Sequence, residues 1–388
     1  MKINKSNPKH WLYLMIFSFI TAITIILRNL KLTKKNRIPI VLLYGHKLNG
    51  NLKSLYNKLL EEPKQIQVYF LTMDPEYHAL LKKKGHQTLN GLTPSTASTL
   101  AKANLIVSDH GLHCLVALLH YTDIKFADVW HGIPFKGFDQ DDFRVQHHFD
   151  EIWVSSELLK KIYIEKFGFC EKIVHVTGYG RTDKLVKGEV NKALKQSIGL
   201  PEDHKVILFA PTWVQDDFGR NLYPFGLSED EFLSRLSDFA TTNNCSCLVR
   251  HHLNSNSTIA DNYPNLYFVP SQEYEDTEDI LLISDILICD WSSIAFDYLA
   301  LNRPTIFLDV PAPFIKGFTL GCDFRFGHIV TSIEHLIESL MNFTNTPAHY
   351  FELYSNMHAQ TEKRVYEEAL DGYSTERYFN RVIKLIMK

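Results

Sequence analysis

Cysteine is scarce in these 388 residues, and the six that occur, at 114, 170, 245, 247, 289 and 322, form no Cys-x-x-Cys pair. That argues against a thiolate zinc site and a dithiol redox motif. Most of the six lie inside apolar runs and read as buried thiols in a reducing compartment. An excess of one charge is missing too: 41 Lys and Arg stand against 44 Asp and Glu, a formal charge of −3. A chain so balanced is not built to coat a polyanion, and it carries no recognised nucleic-acid motif. No nucleic-acid partner is therefore expected, and any phosphate binding has to be local. Neither a Gly-x-x-x-x-Gly-Lys-Ser/Thr loop nor a Gly-x-Gly-x-x-Gly turn occurs, which counts against ATPase and ordinary dinucleotide-binding readings. Ser108-Asp109-His110 has the residue types of a hydrolytic triad, but adjacent positions rarely converge in one and no Gly-x-Ser-x-Gly elbow exists. His147-His148 near Asp150 lacks a metal-ligand spacing. Repeats of 20 to 50 residues and low-complexity tracts are absent.

What is present fits a two-domain globular body. The chain exceeds one ordinary core and suits two domains of roughly 150 to 180 residues plus extensions. Apolar residues at 45% and charged residues at 22% are ordinary globular values. One long apolar run stands out, Trp11 to Leu27, flanked by Lys2, Lys5 and Lys9 and then by Arg28, Lys31, Lys34, Lys35 and Arg37. As a helix it is roughly 25 Å long, slightly under the roughly 30 Å of hydrocarbon in a bilayer. A short single span and an in-plane helix both fit. No small-residue cleavage pattern follows, so residues 1–36 read as a retained membrane anchor rather than a cleaved signal. The heavier positive charge on its carboxyl side places the body in the cytoplasm.

Beyond the anchor, short apolar runs alternate with helical patterns. Strands are expected at Ile38 to Tyr44, Gln67 to Thr72, Leu105 to Ser108, Ile152 to Val154 and Ile173 to Thr177. After the polar stretch 184–205, taken as the link, a second series is expected at Val206 to Ala210, Ser246 to Arg250, Leu266 to Val269, Ile286 to Cys289 and Thr305 to Leu308. Such alternation predicts an α/β protein with two open parallel sheets, Rossmann-like, facing a cleft. The expected domains are 37–190 and 191–365, with 366–388 a helix packed on the body.

In open α/β sheets, ligands lie beyond the carboxyl ends of the strands. The polar clusters fall there: His131-Gly132 with Lys136, Thr212, Arg250 with His252, and Asp290 with Ser292, Ser293 and Asp297. An imidazole suits removal of a proton from an alcohol near neutral pH, and Gly132 with Pro134 fixes an unusual backbone beside His131. Lys136 suits a phosphate, a solvated surface lysine being the alternative. Hydroxyls at Ser292 and Ser293 before a helix can donate to phosphate oxygens, although taken alone the segment reads first as an ordinary helix cap. Arg250 supplies a permanent charge.

In order, the WHGIPFK run at 130–136, GYGRTD at 178–183, APTW at 210–213, Arg250-x-His252 and DWSSIAFDY at 290–298 resemble the CDP-glycerol glycerophosphotransferase family of teichoic acid synthesis, its short membrane-associated primase branch most of all. The likeness covers about Ile38 to Met387. It implies a GT-B-like fold with an acceptor-side amino domain and a CDP-alcohol-binding carboxyl domain. By that resemblance His131 and His252 serve transfer, and Thr212, Arg250, Ser292 and Ser293 contact the donor pyrophosphate, with Asp290, Asp297, Gly132, Lys136 and Arg181 around them. The chain departs from the family at Gly180, where proline is usual, and at Trp291, where tyrosine is common. The expected reaction moves glycerol phosphate from CDP-glycerol, or a related CDP-polyol, to a hydroxyl of a lipid-linked saccharide or growing polymer. No cofactor is expected, with magnesium left open. A CDP-ribitol phosphotransferase, a nucleotide-sugar glycosyltransferase of the same fold and a non-catalytic membrane-tethered binding protein stand as alternatives.

Overall fold

The computed structural model describes residues 3–33, 38–212, 223–250, 263–312 and 314–387. The chain divides into two compact units: Met1–His131, Gln140–Asp183 and Asp371–Lys388 form the first, and Gly132–Asp139 with Lys184–Leu370 the second. The polar stretch 184–205, taken as a link, lies in the second unit and holds the end of the helix Gly180–Lys187 and the helix Lys192–Ile198.

Seven strands build the first unit: Ile40–Tyr44 (β1), Gln67–Thr72 (β2), Thr88–Asn90 (β3), Ala103–Ser108 (β4), Lys125–Asp128 (β5), Glu151–Val154 (β6) and Val174–Val176 (β7). They pair in the order β3-β2-β1-β4-β5-β6-β7, every pair parallel. In the middle, Val41 sits between Val68 and Leu105. All five residues of β1 are buried, which is why this strand reads as an unbroken apolar run rather than an alternation. The second unit has Lys205–Phe209 (β8), Cys245–Val249 (β9), Leu266–Phe268 (β10), Ile286–Cys289 (β11), Thr305–Leu308 (β12) and His328–Val330 (β13). Their order, β10-β9-β8-β11-β12-β13, repeats that of the first six strands of the other sheet, and these pairs are parallel too. The expected doubly wound α/β architecture is present in both halves.

The apolar run near the amino terminus forms the helix Pro8–Asn29, started by Asn7, whose side chain accepts from the Lys9 N–H. Among the described residues it is the one helix long and apolar enough to cross a membrane, by length and composition. One face, carrying Phe17, Ile20, Thr21 and Thr24, is buried. Arg28 locks the far end by donating to the Ala101 and Ala103 carbonyls at 3.0 and 2.7 Å and by pairing with Asp123. Asn29 donates to the Tyr121 carbonyl at 3.0 Å. Trp11, Leu12, Met15, Phe19 and Ile26 remain exposed.

The helix Ser374–Met387 belongs to the first unit although it follows the whole of the second in sequence. Tyr378, Val382 and Leu385 recur at helical spacing and are buried. Tyr378 stacks on Trp153 with ring centroids 5.1 Å apart. Beside them the buried carboxylate of Glu151 accepts from Arg381 Nε at 2.7 Å and from Trp153 Nε1 at 2.9 Å. Asp183 caps the helix from a distance in sequence, its two carboxylate oxygens accepting from the Ser374 and Thr375 N–H groups at 2.9 and 2.7 Å. This helix also explains Gly180. A Cβ there would lie 2.9 Å from the Tyr378 ring and 3.0 Å from Thr375 Oγ1, so any larger residue has to push these side chains aside.

The cysteine expectation needs correction. Cys245, Cys247 and Cys289 are buried, Cys114 is half-buried, and Cys170 and Cys322 are exposed. Cys170 immediately precedes one short 3₁₀ segment and Cys322 begins another, where an apolar neighbour in sequence does not bring burial.

Replacing Asp183 by alanine leaves two N–H groups at the start of the last helix without their acceptor. We expect a loss of about 1–3 kcal/mol in urea unfolding, with the midpoint shifted and the slope unchanged.

Candidate active site

In each sheet the chain builds outward from one strand and then returns to its other side, so the strand order reverses between β1 and β4 and between β8 and β11. Strand carboxyl ends at such a reversal form the natural ligand crevice of a parallel sheet. In the first unit β1 leads into Gly45-His46, β4 into Asp109-His110, and β5 into Val129-Trp130-His131. The imidazoles of His46 and His110 lie with centroids 4.2 Å apart, and those of His110 and His131 stack at 4.5 Å with an interplanar angle of 11°.

His131 Nδ1 lies 3.1 Å from the backbone carbonyl of Asp109. A carbonyl can only accept, so Nδ1 carries the proton and the lone pair is left on Nε2. The residue is exposed, open to a substrate. Desolvation by the surrounding protein, and then the neighbouring His110 charge, hold its pKa below the ordinary imidazole value. His110 behaves oppositely. Burial acts against its charged form, yet the Asp109 carboxylate, 2.6 Å from His110 Nδ1, raises it on balance.

The backbone carrying His131 is strained. Trp130 has φ 33°, a value costly for a bulky residue, and Gly132 has φ 152°, accessible only to glycine at low cost. Side chains hold this conformation from several elements. Asp128 Oδ1 accepts from the Trp130 N–H at 2.8 Å. Asn51 Nδ2 donates to the Trp130 carbonyl at 2.8 Å, while its Oδ1 accepts from the Arg181 N–H at 3.1 Å. Arg181 Nη1 in turn donates to the His131 carbonyl at 2.7 Å. Arg181 is thus placed at the histidine, and Asn51 and Asp128 are partners that residue type alone did not single out.

In the second unit the reversal gathers Thr212, after β8, and Asp290 to Ser293, after β11. The Thr212 N–H donates to Asp290 Oδ1 at 2.8 Å and the Thr212 hydroxyl donates to the same oxygen. Ser293 precedes the helix Ile294–Leu299 without capping it through its side chain. Neither the Ser292 nor the Ser293 hydroxyl has a hydrogen-bond partner among the described residues, and both are partly accessible. The two serine side chains therefore do not cap this helix. Asp297 is buried on that helix. Trp291 donates through Nε1 to the Val310 carbonyl at 2.8 Å and lies under the Arg325 guanidinium at 4.4 Å.

The segment after His131 also packs within the second unit. Phe135 meets Phe296 and Trp291 with centroids 4.6 and 5.8 Å apart, and Lys136 forms an antiparallel bridge with Phe318. Its ammonium lies over the Phe138 ring at 5.4 Å.

The sequence profile described as CDP-Glycerol:Poly(glycerophosphate) glycerophosphotransferase matches residues 23–384. The chain belongs to this family. Among curated members it is 25% identical over 370 residues to the teichoic acid poly(glycerol phosphate) polymerase of Bacillus subtilis (strain 168), covering 88% of this chain and 48% of that one. It is 29% identical over 323 residues to the teichoic acid ribitol-phosphate polymerase TarL of Staphylococcus aureus, covering 76% and 54%. With the teichoic acid glycerol-phosphate transferase of the same organism it shares 27% over 350 residues, covering 83% and 87%. The chain spans about half the length of the first two relatives. A histidine-to-asparagine variant of the wall teichoic acid polymerase TagF superposes with a TM-score of 0.76 at 21% identity, over 96% of this chain and 94% of that one. At that identity the likeness concerns the fold, which is the GT-B-like arrangement expected.

The other expected site residues of this family member fall as follows. Arg250 comes just after β9 and is buried, donating to the Val269 and Tyr274 carbonyls at 3.1 and 3.0 Å and to Thr277 Oγ1 at 3.0 Å. In this structure it shapes the loop after β10 as much as it lends charge. His252, like Trp213, lies outside the described residues. Among the described residues no group of three or more His, Cys, Asp or Glu is placed to hold a metal ion.

Asp128 supplies a stability test of this site. Burial, with the nearby Asp109 charge adding to it and the Trp130 hydrogen bond opposing, raises its pKa from 3.8 to about 7. The folded protein therefore keeps the proton through a range in which the unfolded chain has lost it. The residue's contribution to stability is full below pH about 4, falls as pH rises, and is gone above about 7. Asp128→Asn keeps the Oδ1 acceptor and cannot ionise. We expect the variant to match wild type in chemical unfolding near pH 4.5 and to exceed it at pH 8 by on the order of 3 kcal/mol; equal stability at both pH values contradicts the assignment.

Proposed function

We propose that the protein transfers glycerol phosphate from CDP-glycerol to a hydroxyl of a lipid-linked saccharide or of a growing teichoic-acid-like or capsular polymer, releasing CMP. The observation that carries this reading is His131: exposed, neutral, and with its Nδ1 proton committed to a backbone carbonyl. Nε2 then takes the proton of the acceptor hydroxyl as that oxygen attacks the glycerol-bearing phosphorus. The bond to the CMP oxygen breaks in the same displacement, and the charge there needs donors rather than covalent chemistry.

The groups we assign to that charge are the Ser292 and Ser293 hydroxyls with Arg250 and His252, Lys136 adding a cation, while Asp290 holds Thr212 beside them. Family membership and the unsatisfied serine hydroxyls support this assignment. His252 is the second histidine of the proposal, by resemblance. Ribitol phosphate is the alternative unit, favoured by the two Staphylococcus aureus relatives that are ribitol-phosphate polymerases, TarL and TarK. Side chains and backbone donors supply the countercharge in this reading, and chelation or magnesium addition in the same assay tests whether a cation contributes.

The amino-terminal helix we assign to the cytoplasmic face of the membrane, as the single anchor. Its buried face and Arg28 contacts favour the in-plane option, with Trp11, Leu12, Met15 and Phe19 entering the lipid. In flotation with anionic vesicles, wild type is expected to rise with the lipid and a Trp11→Ser, Met15→Ser, Phe19→Ser variant to stay behind.

The decisive assay measures CMP release from CDP-glycerol, CDP-ribitol and UDP-sugars with lipid extract as acceptor. We expect CDP-polyol turnover that falls about 100- to 10,000-fold in kcat for His131→Ala. Joint replacement of Ser292 and Ser293 by alanine is expected to raise KM for the donor about tenfold or more. Full activity in both His131→Ala and His252→Ala, or turnover of UDP-sugars alone, refutes the reading.

A further inference from the structure

Ser108-Asp109-His110 is not a hydrolytic triad, yet its last two residues are bound up with His131. The Asp109 main chain accepts from His131 Nδ1, while its side chain pairs with His110 Nδ1. His110 then lies flat on the His131 ring at 4.5 Å. Gly45 makes room for this, because a Cβ there would overlap the Asp109 carboxylate. One residue thus fixes the tautomer of the exposed imidazole and the orientation of a second imidazole stacked on it.

We propose that His110, held by Asp109, is a positioning residue that keeps His131 deprotonated and aligned for its substrate. This rests on His131 being the base of the transfer reaction. Two imidazoles in parallel contact cannot both carry a proton cheaply, since like charges at this separation repel. Which one carries it is decided by partners. His110 faces the Asp109 carboxylate, with the carboxyl of Asp128 on β5 adding charge only where it ionises, whereas His131 faces His110, the more distant Asp109 charge and the Arg181 guanidinium. On the other side of His110 stand His46, from the turn after β1, and His113 beyond it, both driven toward the neutral form by burial. The proton of the cluster therefore resides on His110, and the lone pair on His131.

The test uses the full chain with labelled histidine, following each imidazole by NMR as pH is varied, with the His131 signal assigned by its loss in His131→Ala. In wild type the His110 midpoint is expected above 6.5 and the His131 midpoint below it; the reverse order overturns the proposal without any variant. His110→Phe keeps a flat ring and removes the charge, and His110→Gln serves if that variant does not fold. In either, the His131 midpoint should rise by about one pH unit or more, and the acidic limb of kcat/KM for CMP release should move up by the same amount. The alkaline plateau should stay within about tenfold of wild type. An unchanged His131 midpoint overturns the proposal. Should wild type release no CMP from any donor, the transferase reading fails while the titration still decides the order of the two histidines.

Discussion

Asp128, Asn51 and Arg181 grip two consecutive residues, Trp130 and His131, and the first unit's site depends on that grip. A tryptophan at φ 33° does not hold itself there. Each of the three side chains comes from a different part of the sheet: the end of β5, the helix after β1, and the helix after β7. The strain is thus distributed over the unit, and the orientation of one imidazole reports on the packing of elements more than a hundred residues apart. Arg181 extends the chain of dependence, since Asp183, two residues on, caps the helix Ser374–Met387.

Both sheets use the same strand order, and both gather their polar residues at the same topological position. The chemistry placed there differs. The first unit collects imidazoles and carboxylates, groups that exchange protons near neutral pH, while the second collects hydroxyls, an aspartate and a buried guanidinium, groups that donate or hold without changing charge.

Much of the fold was legible from residues alone, for a physical reason. Central strands of a parallel sheet are covered on both faces, so Ile40–Tyr44 and Ile286–Cys289 are unbroken apolar runs that no helix period explains. Three strands were missed: Thr88–Asn90 and His328–Val330 are three-residue edges with mostly half-exposed side chains, and the inner Lys125–Asp128 is a four-residue run, Lys-Phe-Ala-Asp, with charged residues at both ends. At the site, His131 was legible because its residue type carries chemistry. Asp109 was set aside because side chains of adjacent residues rarely converge, but its contact to His131 is made by a backbone carbonyl, which residue type cannot reveal. Asn51 was silent for the same reason. Arg250 was legible as a charge, but not the carbonyls that surround it.

The first unit is discontinuous in sequence, closed by residues 371–388 after the entire second unit has intervened. During synthesis the amino-terminal sheet leaves the ribosome long before the helix that covers Trp153 and receives Asp183 exists. Domains ordinarily fold as they emerge. Here the earlier half has to wait for residues 371–388 to be translated, with an apolar flank uncovered meanwhile. Loss of residues 371–388 would therefore wound the half encoded first, and the half encoded between would mature ahead of it.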